Sequence, residues 1–147
     1  MTFNTWIRAT LICGALDAAY ASVTALLRGK PVGPVWNGVA SGPFGDAAQG
    51  WGAGGVVAGL LVHFAIMGVM AAFFLWGVWQ NAWVRRNAVL SGAIYGLLLF
   101  VFMYYGVLAV RFGLMLTDPV KIAIGLFPHI FFVGIPMALI ARKTAKG

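Results

Sequence analysis

The feature that most constrains this chain is a row of four apolar stretches, each roughly twenty residues long and separated by short breaks rich in glycine, proline, arginine and lysine. The hydrocarbon core of a bilayer, about 30 Å thick, is spanned by about 20 helical residues. No water is available there to satisfy backbone N–H and C=O groups, so each stretch must satisfy its own by forming a helix. Composition agrees: 62% of residues are hydrophobic, 9% are charged and the mean hydropathy is +0.94. Soluble domains carry about 45–50% apolar and about 25% charged residues. The pattern predicts an all-α integral membrane four-helix bundle, a single transmembrane domain over residues 1–147 with spans at 6–27, 53–79, 88–110 and 119–141.

The breaks carry the usual end signals. Arg28, Gly29, Lys30 and Pro31 close the first span; Arg111 closes the third, and Arg142 with Lys143 the fourth. Trp76, Trp79 and Trp83 beside Arg85 and Arg86 read as an aromatic belt followed by a basic turn. Arg8 precedes an apolar run that continues to Leu27 without a small-residue cleavage site, so this stretch reads as a retained span rather than a secretory signal. Four spans put both termini on one side. Arg8, Arg85, Arg86, Arg142, Lys143 and Lys146 share that side, against Arg28, Lys30, Arg111 and Lys121 on the other, a bias that favours cytoplasmic termini. The net charge of +7 is scattered over segment ends and forms no continuous stripe, so nucleic acid is not expected as a partner. Cys13 is the single cysteine, which rules out an intrachain disulfide or a cysteine metal cluster.

Segment 31–55 is the irregular one. It holds Pro31, Pro34 and Pro43 with many glycines, yet also Val35, Trp36, Val39 and Phe44, which a solvated linker would not need. Two readings follow: a short interfacial or re-entrant helix over 35–41, broken at Gly42 and Pro43, or a surface loop lying against the headgroups. Gly55 with Gly59, and Gly92 with Gly96, form small-xxx-small pairs that let helix backbones approach closely. They suit internal packing and also a contact between two copies, the first being the expectation.

Asp17, His63 and His129 lie inside the spans, where an ionisable group is costly. With a helical rise of about 1.5 Å per residue, each lies roughly 15 Å from the same membrane face, so the three can share one layer. Tyr20 lies one turn from Asp17 and Thr24 a further turn on, while Tyr104 sits somewhat shallower on the third span beside Tyr105. A carboxylate near imidazoles makes a group that can relay or sense protons, because histidine titrates near physiological pH. Two imidazoles and one carboxylate could also hold a metal, and two histidines on separate spans could ligate a haem iron, although no local motif such as HExxH supports either. The alternative to all of these is interhelical glue, with Asp17 satisfied by Tyr20, an amide or a histidine. Pro128 and Pro136 each lack the donor that would satisfy a carbonyl four residues back, at Ile124 and Phe132, which places free acceptors near His129.

The order Gly14, Ala15, Leu16, Asp17, then Gly38 to Gly42, then Leu61, Val62, His63, Phe64, then His129 followed by Val133, Gly134, Ile135, Pro136, resembles the small, uncharacterised YagU-like inner-membrane proteins of bacteria. The resemblance implies a four-span protein of the bacterial inner membrane, with Asp17, the Ala40, Ser41, Gly42 stretch, His63 and His129 as recurring features, and it implies no activity. The chain departs from that pattern in lacking an asparagine near Tyr104. The functional expectation is a multi-pass protein with a proton-responsive or small-ligand site at Asp17, Tyr20, His63, Tyr104 and His129, in a transport or sensing unit that oligomerises. The alternatives are an accessory subunit of a larger membrane complex, and a haem- or metal-binding membrane enzyme using Asp17, His63 and His129. The enzyme reading lacks a second acidic pair, a nucleophile motif or a phosphate cradle.

Overall fold

The computed structural model describes residues 1–145; Lys146, counted above among the cations on the side of the termini, lies outside them. The four expected spans are helices: α1 (Phe3–Leu27), α3 (Ala53–Gln80), α5 (Ala88–Phe112) and α6 (Pro119–Thr144), each long and apolar enough to cross a membrane. Between them lie α2 (Gly33–Phe44) and the short α4 (Ala82–Arg86), and there is no strand among the described residues.

Helix ends fall where side chains can satisfy orphan backbone groups. α1 begins at Phe3 rather than residue 6 because Thr2 caps it, its side chain accepting from the Thr5 amide. α6 begins at Pro119, whose missing N–H costs nothing at a first turn, while the Asp118 carboxylate accepts from the amides of Val120 and Lys121. α3 closes on Arg85, whose guanidinium donates to the carbonyls of Trp79 and Gln80. α5 runs to Phe112 and stops at Gly113, which takes a left-handed conformation at φ +65.

The segment between the first two spans is not a surface loop. α2 starts at Gly33, with Pro34 in its first turn, and runs through Gly42 and Pro43, the expected break, to stop at Gly45 with φ +82. Its own glycines and prolines disfavour a helix, so packing must supply the stability. The partner surface is the small-residue face of α3. A methyl group on Gly59 would overlap the Trp36 carbonyl, and one on Gly55 would overlap the Asn37 side chain. Arg111, at the end of α5, holds the other end of α2: it donates to the Ser41 and Gly42 carbonyls at 2.9 and 3.1 Å and pairs with Asp46 at 2.8 Å.

The second pair of small residues seats α5 on α6. Gly92 faces the backbone of Gly134 and Ile135, and Gly96 faces the carbonyl of His129. Both pairs are therefore occupied within one chain. α1 packs against α3 on one side and α6 on the other. The core gathers on the side of the termini around Phe74, Leu75, Tyr95, Val133 and Met137. Trp79 belongs to it rather than to the expected aromatic belt, being buried against Phe74, whereas Trp76 and Trp83 are exposed. Three spans contain a turn of π-helix, at Phe73–Gly77, Phe102–Leu108 and His129–Gly134, the last bracketed by Pro128 and Pro136.

Candidate functional site

On the side away from the termini, α1, α2, α5 and α6 leave a cavity of about 430 Å³ between them. Asp17, Tyr20, Thr24, Tyr104, Gly125 and His129 line it, and Arg28, Lys30 and Lys121, at the helix ends, complete the lining toward the surface. Four of the five site residues expected from sequence thus share one cavity. His63 is the exception: it does not line the cavity but places its Nδ1 atom 3.9 Å from the Asp17 carboxylate. Asp17 and His129 line the same cavity wall.

Each histidine is oriented by a backbone carbonyl, which can only accept a hydrogen bond. His63 Nε2 lies 2.9 Å from the Gly14 oxygen, so Nε2 carries a proton and donates. In a neutral ring Nδ1 is then a bare lone pair, and it is the atom nearest Asp17. Two acceptors facing each other repel, and a proton added to either group would relieve that repulsion. The ring is further fixed by edge contacts with Trp36 of α2 and with Phe64. Gly14 makes this approach feasible, because a side chain there would run into the Phe64 ring.

His129 is oriented differently. Its Nδ1 donates to the carbonyl of Gly125, one turn back, at 2.8 Å, which leaves Nε2 as the uncommitted nitrogen of the neutral ring. Its ring contacts Phe100 and Tyr104 edge-on. The carbonyl freed by Pro128 is used: Ile124 O accepts from the Tyr20 hydroxyl at 3.0 Å. Tyr20 is thereby committed to the scaffold of the cavity wall. The Tyr104 hydroxyl makes no hydrogen bond among the described residues and packs over Gly125. Tyr105, its neighbour, points elsewhere and donates to Leu116 at an exposed position.

Among the described residues, no three His, Cys, Asp or Glu side chains form a group that could hold a metal ion, so Asp17, His63 and His129 share a layer without forming a ligand set. Sequence reasoning gave no place at the site to Gly14, Trp36 and Gly125, which orient the two histidines, or to Arg28, Lys30 and Lys121, which read as signals of span ends and orientation. The signal for the last three was present in their position, since they flank the ends of the spans that carry Asp17 and His129. Compared with protein-family models, curated proteins and solved structures, the chain matches none.

Proposed function

We propose that this chain is a multi-pass protein of the bacterial inner membrane in which the Asp17 and His63 pair is a proton-responsive element at the base of a small-ligand site. The observation that carries the reading is the tie between His63 Nε2 and the Gly14 carbonyl. It turns Nδ1 toward Asp17, so the protonation of one group depends on the other. Asp17 also lines the cavity, which lets a ligand sense, and bias, where that proton sits. The excess of cations on the side of the termini supports cytoplasmic termini, with the cavity opening on the opposite face.

The chain has three acidic residues, Asp17, Asp46 and Asp118, which makes infrared spectroscopy a direct test. In a pH titration of the purified protein, one protonated-carboxyl band is expected to disappear in Asp17→Asn and to titrate at a displaced pH in His63→Gln. A titration unchanged by both substitutions overturns the reading.

An accessory role in a larger membrane complex is a second reading. It is supported by an apolar groove of about 490 Å³ between α3 and α5, bordered by Met70, Phe73, Ile94, Leu98 and Phe102. Stable co-purification of other chains in mild detergent, lost when Ile94 and Leu98 are made bulky, is its test.

A further inference from the structure

The lining of the cavity has a sign as well as a shape. Arg28 closes α1, Lys30 lies in the turn before α2, and Lys121 stands in the first turn of α6, so three separate elements bring a cation to the same mouth. Arg28 and Tyr104 line the same cavity. Lys121 is shared with Asp118 at 4.0 Å, an exposed contact that neutralises little of it. Asp17 is the one acidic residue among the described residues of the lining, against three cations at the mouth. Clustered charge at the mouth of a low-dielectric cleft focuses the field and concentrates counter-ions of the opposite sign.

The walls are mixed. Ala21, Ala25, Val35 and Ile124 supply aliphatic surface, while Tyr104 offers a hydroxyl and His129 a ring nitrogen that are not committed to the scaffold. A volume of about 430 Å³ is at the small end of ordinary ligand pockets, roughly 300–1,000 Å³. We infer that the ligand of this site is a small organic anion, a carboxylate or phosphate monoester with an apolar body. Its charge lies toward Arg28, Lys30 and Lys121, and its body lies against α1 and α6. The assignment rests on the cavity being a ligand site, as proposed above. The anionic group could come from a soluble metabolite or from a lipid headgroup at the membrane surface.

The test is calorimetric titration of the full chain in phosphatidylcholine nanodiscs with benzoate, inorganic phosphate and, as the opposite charge, tetraethylammonium. Benzoate is expected to bind and tetraethylammonium not to. Affinity for benzoate should fall about tenfold or more in Arg28→Gln and again in Lys121→Gln, and it should weaken as salt is raised. Both side chains are exposed, so neither variant threatens the fold. If phosphatidylglycerol in the disc suppresses benzoate binding, the anionic group at the mouth is a lipid headgroup; if it has no effect, the soluble anion is the ligand. Equal affinity for the cation, or benzoate binding indifferent to both substitutions, overturns the assignment. The infrared titration of Asp17 on the same sample is independent of this result, so a failed anion assignment is distinguishable from a failed proton site.

Discussion

The Tyr20 hydroxyl donates to the Ile124 carbonyl at 3.0 Å, and Ile124 is the residue whose helical donor Pro128 removes. A defect in one span is thus repaired by a side chain from another, and the repair fixes α1 against the outer half of α6.

Tyr20→Phe is therefore expected to leave a partly buried carbonyl without its donor and to cost about 0.5–1.5 kcal/mol, the range for a hydrogen bond of this kind. Pro128→Ala returns an N–H to the ladder and gives Ile124 a donor of its own. In that background Tyr20→Phe should cost markedly less. Unfolding free energies of the four proteins form a double-mutant cycle, and simple additivity would show that the two residues do not share this carbonyl.

Glycines at helix contacts and glycines facing open space should respond oppositely to the same substitution. Gly96→Ala would force a methyl group into the His129 carbonyl, with an overpacking cost of about 1–3 kcal/mol. Gly38→Ala meets nothing within 4 Å, and in a helix it should be neutral or stabilising by up to about 1 kcal/mol. Thermal unfolding in detergent separates the two, and a Gly96→Ala protein as stable as the parent would show that α5 and α6 are not seated this closely.

Arg111→Ala removes every hydrogen bond that α5 makes to the end of α2 through this side chain. Amide exchange in residues 38–44 should quicken while exchange in the spans stays slow. Arg111→Lys should restore little, because a single ammonium cannot reproduce the fork that reaches two carbonyls and Asp46 together. Asp46→Asn should matter less, since Asp46 is largely exposed.

The spans were readable because the bilayer imposes one rule on the whole backbone, and a shared depth for Asp17, His63 and His129 followed from counting rise per residue. Which of them face the same space was not readable, because that depends on how each helix is rotated. His63 is turned by the Gly14 carbonyl and His129 by the Gly125 carbonyl, while Asp17 lies on the cavity wall. α2 was only half visible for a related reason: Pro34, Gly38, Gly42 and Pro43 argue against a helix locally, while the glycines that stabilise it, Gly55 and Gly59, belong to α3. Pro128 was the most informative local signal, since the acceptor it frees is the one Tyr20 uses.

The π-helical turns give the molecule a freedom that straight spans would lack. Each accommodates about one residue more than a regular turn, so the two halves of a span need not keep a common angular phase. In α5 the half that carries Gly92 and Gly96 is locked to α6, while the half beyond residue 102 presents Tyr104 to the cavity. A single-residue insertion or deletion within 102–108 could re-aim the outer half alone. Such a change would alter the lining of the cavity while the inner bundle stays as it is.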